Sequence, residues 1–164
     1  MTDIQRQIES LVQVRTRFKI KICALALAAI TFLLAPGDSA AQAPKPPLLL
    51  SPPQALASLY DNRLTLIDIR TPGEIARTGI AAGATALDWR KSNFIAEVEA
   101  ALGGDRSKPV ALICARGVRS SYAAQLLIEN GFTAVADIRE GMLGSGGGPG
   151  WIRRGLPVTG KPAK

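Results

Sequence analysis

Between Leu48 and Ile138 the chain alternates short unbroken apolar runs with longer stretches in which apolar side chains recur every three or four positions. Apolar runs bounded by glycine, proline or polar residues predict buried strands, and the recurring pattern predicts helices that bury one face. On this reading Leu48–Leu50 is a short edge strand. Ser51-Pro52-Pro53 sets a capping residue ahead of prolines and opens a helix that runs to about Tyr60. Leu64–Asp68 is a buried strand ending in a carboxylate, and Thr71-Pro72-Gly73-Glu74 starts a short helix by the same cap-then-proline signal. Gly83–Leu87 predicts a strand, and Ser92 caps a helix that Gly103-Gly104 stops after Leu102. Pro109–Ile113 predicts a strand, Ser120–Asn130 a helix closed by Gly131, and Ala134–Ile138 a final strand.

Strands alternating with helices predict an α/β domain with a mainly parallel sheet. In such sheets the ligand site lies at the carboxyl ends of the strands, where the strand order reverses. The segment Gly141–Gly150 is rich in glycine and closes on Trp151. It reads either as a lid or as an inert surface loop, with Trp151 as a packing anchor rather than a substrate contact.

The first 41 residues follow a different pattern. A basic cluster of Arg15, Arg17, Lys19 and Lys21 precedes the apolar run Ile22–Ala35, and small residues Ser39-Ala40-Ala41 follow. That order predicts a secretory signal peptide over residues 1–41, with cleavage after Ala41. The run is shorter than the ~20 apolar residues of a membrane span. Export, to a bacterial periplasm, is the expectation, and an uncleaved membrane anchor facing that compartment is the alternative. Residues 42–47 read as a proline-rich linker, 48–160 as the domain and 161–164 as a tail.

Composition narrows the chemistry. The 164 residues contain no histidine and two cysteines. Cysteine–histidine dyads, serine–histidine triads and imidazole or multi-cysteine metal sites are therefore excluded, and no metal or cofactor is expected. The formal net charge of +7 is dispersed, without a basic stripe interleaved with aromatics, so nucleic acid is not an expected partner and small anions are. Cys23 sits at the start of the apolar leader and reads as a small hydrophobe. Loss of the leader leaves Cys114 as the only thiol.

Cys114 stands where the strand Pro109–Ile113 ends and a short loop leads into a helix. Gly117 lets the backbone curl, and a helix start turns N–H groups and a positive dipole end toward the sulfur. Arg116 and Arg119 add cations. This layout favours the thiolate over the thiol and makes Cys114 a candidate nucleophile. A buried cysteine that merely packs is the ordinary alternative. The glycine, arginine and helix start at three, five and six residues beyond the cysteine weigh against it.

The stretch Cys114-Ala-Arg-Gly-Val-Arg119-Ser120 resembles the active loop of the rhodanese family. Leu66-Ile-Asp68-Ile-Arg70-Thr-Pro-Gly-Glu74 is similar to that family's first signature, Thr78-Gly79 through Gly83-Ala84 to its second, and Gly155-Leu-Pro157-Val158 to its terminal element. The four motifs occur in the family's order. Ile80 departs from it, standing where the family usually has a histidine.

The resemblance implies a rhodanese-like three-layer α/β sandwich with a mainly parallel central sheet. It implies that Cys114 carries sulfane sulfur as a persulfide, taken from a small anionic donor such as thiosulfate and passed to a thiol or cyanide. Arg116 falls where family members often hold a cation for the donor, and Arg119 ends the loop. The main-chain N–H groups from Ala115 through Arg116, Gly117, Val118 and Arg119 to Ser120 are expected to cradle the bound sulfur anion. Cysteine to arginine spans six residues, whereas related phosphatases of this fold carry one residue more, so the loop suits sulfur better than phosphate. Asp68, Arg70 and Glu74 are read as an ion-pair and capping network supporting the loop. A second class of function stays open: a module that carries sulfur for, or simply docks, a partner protein. Membrane contact is expected only through an uncleaved leader.

Overall fold

The computed structural model describes residues 45–160. The expected signal peptide, residues 42–44 of the linker, Cys23 and the tail at 161–164 lie outside the described residues. In chain order the elements are β1 (Leu48–Leu49), α1 (Pro52–Tyr60), β2 (Thr65–Asp68), α2 (Pro72–Thr78), β3 (Ile80–Ala81) and β4 (Thr85–Ala86). They continue with α3 (Phe94–Ala101), β5 (Val110–Ile113), α4 (Val118–Glu129), β6 (Val135–Asp137), α5 (Gly150–Arg153) and β7 (Val158–Thr159).

Five strands form one sheet in the order β1-β6-β5-β2-β4, and every neighbouring pair is parallel. The chain steps from β2 to β4 in one direction and from β5 to β6 in the other, so the order reverses between β2 and β5. That is where an open α/β sheet leaves a crevice at its carboxyl edge. The register pairs Asp68 with Ile113, which brings the ends of these two strands side by side.

Alternation along β5 sorts its side chains to the two faces. Val110, Leu112 and Cys114 join a core with Phe94 and Val98 of α3 and Ala123, Ala124 and Leu127 of α4. Ala111 and Ile113 join the opposite core with Ala55 of α1 and Trp151 of α5. Both faces of a parallel sheet are thus covered, which is why its strands read as unbroken apolar runs. The result is the three-layer α/β arrangement with a mainly parallel sheet.

The structure moves several expected boundaries. Helix α4 starts at Val118, not at Ser120, because Gly117 makes the turn itself at φ 83°. Ser120 lies inside the first turn, its hydroxyl donating to the Gly117 carbonyl at 3.1 Å. Helix α3 is preceded by Asn93 rather than Ser92, without a side-chain cap, and a backbone turn from Phe94 N–H to the Lys91 carbonyl at 3.1 Å starts it. The strand expected over Gly83–Leu87 shrinks to Thr85–Ala86, since Ala84 N–H closes a turn on the Ala81 carbonyl at 3.0 Å. Strands β3 and β7 form an antiparallel ribbon apart from the main sheet. Each holds two residues, too few to show a period of two. Ile80, the departure from the family pattern, lies in this ribbon opposite Thr159.

Candidate active site

β5 delivers Cys114 to the carboxyl edge of the sheet, where the residue is 1% exposed. Gly117 N–H donates to Cys114 Sγ at 3.1 Å, so the loop folds back over its own cysteine. Gly117 is held there twice over. Its backbone is left-handed, and a Cβ added to it would stand 1.9 Å from the Arg139 carbonyl oxygen.

The loop rests on the stretch that follows β6. Met142 N–H donates to the Cys114 carbonyl at 2.8 Å and Leu143 N–H to the Ala115 carbonyl at 2.9 Å. In a planar trans peptide the carbonyl and the next N–H point opposite ways. Anchoring these two carbonyls to the support therefore turns the Ala115 and Arg116 N–H groups away from it, toward the mouth of the loop. The first turn of α4 leaves the N–H groups of Val118, Arg119 and Ser120 without intrahelical acceptors. Of the N–H groups from Ala115 to Ser120, that of Gly117 is bonded directly to sulfur.

The glycine-rich segment is neither a lid nor an inert loop along its whole length. Gly141, Met142, Gly144 and Gly150 are buried, and only its tip is open to solvent. A Cβ on Gly141 would lie 2.6 Å from the Ala115 carbonyl oxygen. Glu140 pins the far end through Gly150 N–H at 3.0 Å and a two-pronged pair with Arg154 at 2.8 and 2.9 Å. The Arg154 guanidinium holds the Glu140 carboxyl below the usual carboxylate range. Trp151 is fully buried and its indole N–H donates to the Pro157 carbonyl at 2.9 Å, so it is the packing anchor expected.

The two arginines of the loop differ sharply. Arg116 is exposed and makes no ion pair among the described residues. Arg119 is half-buried, with its guanidinium forked onto Glu74 at 2.9 and 2.5 Å. Glu74, and behind it the Cys114 sulfur, hold Arg119 above the ordinary arginine range, while Arg119 holds the Glu74 carboxyl down to about 2. Glu74 also accepts from the Thr71 N–H at 3.1 Å, as a capping box at the start of α2.

Asp68 and Arg70 form a separate unit. Both are buried, at 0% and 1% exposure, and Arg70 Nη2 meets Asp68 Oδ2 at 2.6 Å. The remaining donors of Arg70 reach Thr78 Oγ1 and the Gly79 carbonyl, each at 2.7 Å, tying the end of β2 to the end of α2. The expected single network of Asp68, Arg70 and Glu74 is therefore two: a closed buried pair, and a carboxylate that crosses to α4. Among the described residues no acidic, cysteine or histidine cluster could hold a metal ion.

The residues that sequence reasoning missed act through backbone atoms or close packing. Arg139, Gly141, Met142 and Leu143 shape the loop from beneath. Their one sequence signal is the density of glycines from Gly141 onward. Asp137, at the end of β6, carries no such signal; it is buried and accepts from Ser121 Oγ of α4 at 2.5 Å.

Comparison with known proteins agrees with this geometry. The family model for the rhodanese-like domain matches residues 51–144. A thiosulfate sulfurtransferase GlpE of Actinobacillus pleuropneumoniae serotype 3 is 33% identical over 109 residues, covering 66% of this chain and 90% of the relative. A sulfurtransferase of Allochromatium vinosum is 33% identical over 107 residues, covering 65% and 86%. Among solved structures, Rv0390 of M. tuberculosis superposes with a TM-score of 0.56 at 28% identity, over 71% of this chain and 99% of that one. The polysulfide-sulfur transferase of Wolinella succinogenes gives 0.54 at 29% identity, over 68% and 77%. Motif order, sheet topology and sequence likeness converge: the chain belongs to the rhodanese-like domain family.

Proposed function

We propose that this protein is a sulfurtransferase that takes sulfane sulfur from an anionic donor such as thiosulfate, holds it as a persulfide on Cys114, and releases it to a thiol or cyanide. The observation that carries this reading is the Cys114 sulfur enclosed in a loop of main-chain amides, with Gly117 N–H on it at 3.1 Å. Relatives named sulfurtransferases support sulfur transfer as the chemistry.

In the first step the Cys114 thiolate attacks the outer sulfur of thiosulfate. A Cys114–S bond forms, the donor's S–S bond breaks, and sulfite leaves with the electron pair. The persulfide carries one negative charge, which the outward amides and the first turn of α4 stabilise without an acid or base. In the second step an acceptor thiolate or cyanide attacks that outer sulfur, and Cys114 departs as the thiolate. Arg116, exposed and without an ion pair among the described residues, attracts the doubly charged donor to the mouth. Arg119, fixed by Glu74, supplies a cation that does not wander.

Incubation with thiosulfate is expected to raise the intact mass by one sulfur atom, and Cys114→Ser to abolish the gain. A reactive Cys114 that acquires sulfur from no donor refutes the reading. The near-complete burial of Cys114 also favours a slower, carrier-like use, in which the persulfide is shielded until a partner arrives. Stable retention of the persulfide with negligible turnover on cyanide distinguishes that case.

A further inference from the structure

Helix α4 presents an outer face that its sequence does not need for folding. Its buried side is Ser120, Ala123, Ala124 and Leu127. On the solvent side stand Val118, Tyr122, Gln125, Leu126 and Glu129. Three of those five are apolar, exposed at 65% for Val118, 70% for Tyr122 and 40% for Leu126. Solvent faces of helices are ordinarily polar, and apolar residues at i, i+4 and i+8 make a continuous stripe. It begins at Val118, inside the loop that encloses Cys114, and runs about 12 Å along the helix.

A small acceptor has no use for this stripe. Cyanide or a free thiol reaches sulfur through the mouth alone and never touches Tyr122 or Leu126. Two exposed guanidiniums flank the end of the stripe nearest the sulfur. One is Arg116, in the loop. The other is Arg139, 59% exposed, whose Nε lies 3.8 Å from Asp137, the carboxylate that Ser121 of α4 bonds.

From this juxtaposition, and resting on the sulfur-transfer reading above, we infer that the Val118–Tyr122–Leu126 stripe is the docking surface for a protein acceptor. That acceptor presents a cysteine thiol beside an apolar patch bordered by acidic side chains. Charge complementarity with Arg116 and Arg139 selects an acidic partner and orients it thiol-first. Tyr122, rigid and amphipathic, is the anchor expected at such a contact. The acceptor thiolate attacks the outer sulfur of the Cys114 persulfide, the S–S bond breaks, the persulfide passes to the acceptor and Cys114 leaves as the thiolate.

The test uses thiosulfate as donor and three acceptors. These are cyanide, an acidic peptide with a central cysteine flanked by leucines, and its twin with every acidic residue replaced by lysine. The wild-type protein is expected to favour the acidic peptide over the basic one by about tenfold in kcat/KM. Tyr122→Ala combined with Leu126→Ala should lose about tenfold with the acidic peptide and leave cyanide turnover unchanged. Equal rates for both peptides, or a double variant that keeps full activity on the acidic one, overturns the docking surface while cyanide turnover stands. A double variant that loses cyanide and peptide turnover alike also overturns it. A wild-type Cys114 that takes up sulfur from no donor overturns the sulfur-transfer reading itself, and the docking surface with it.

Discussion

Arg119 and Glu74 are separated by 45 residues in the chain and joined by two hydrogen bonds, of 2.9 and 2.5 Å, across the mouth of the Cys114 loop. The fork locks the first turn of α4 to the first turn of α2. A cation that ends the active loop is thereby committed to one orientation, and its charge is partly neutralised before any donor arrives.

Arg119→Ala is expected to lose about 2–4 kcal/mol of transition-state stabilisation, the scale of one electrostatic contact. Glu74→Gln leaves the arginine in place but releases its fork, so Glu74 acts as a positioning residue. Its loss should fall on kcat more than on KM for thiosulfate, since binding charge is retained while orientation is not. A change below about tenfold in kcat/KM for Arg119→Ala marks the arginine as a bystander.

The same pair sets an acid limit on stability. Arg119 holds Glu74 at about 2, against an ordinary 4.5. A carboxylate lowered in the folded state stabilises the fold fully above its unfolded pKa and loses that contribution as pH falls through the folded one. The stability gap between wild type and Glu74→Gln, about 1–2 kcal/mol after solvent screening, should be constant above pH 4.5 and close between 4.5 and about 2. Urea midpoints measured across that range give the answer directly.

Glycine substitutions separate backbone strain from collision. Gly104 has φ 81° with nothing within 4 Å of an added Cβ, so Gly104→Ala should cost about 1 kcal/mol. Gly117 has nearly the same φ, but its Cβ would strike the Arg139 carbonyl at 1.9 Å. Gly117→Ala should cost more than about 3 kcal/mol or prevent folding, and any folded fraction should fail to take up sulfur. Comparable unfolding midpoints for the two variants contradict this packing of Gly117 on the Arg139 carbonyl.

Arg70→Met removes one half of a pair in which both partners are buried. The fully buried Asp68 carboxylate is left without its cation, and the expected loss is about 3–5 kcal/mol. Replacing both residues by apolar ones of similar volume should recover much of it. Thermal or urea unfolding of the single and double variants decides whether the pair is this tightly closed.

The parts of the site that were legible in the sequence are those contiguous in it. Cys114 to Ser120 announces itself because strand end, glycine and helix start follow within a few residues, and the apolar run before Cys114 shows a strand covered on both faces. The cap-then-proline signals marked the starts of α1 and α2 for the same reason. Glu74 as the partner of Arg119 was not legible, because which carboxylate meets which guanidinium is decided by strand order, and reversal between β2 and β5 is a property of topology. The platform of Arg139 to Leu143 was hidden for a different reason. It acts through main-chain atoms, which every residue possesses, so no side-chain pattern marks it.

Since Met142 and Leu143 grip the carbonyls of Cys114 and Ala115 from below, the electropositive lining above the sulfur is built from bond dipoles whose direction is fixed by covalent planarity. Such a lining has no titratable proton to lose. Whatever anion the pocket holds, its attraction persists at every acidity at which the chain stays folded.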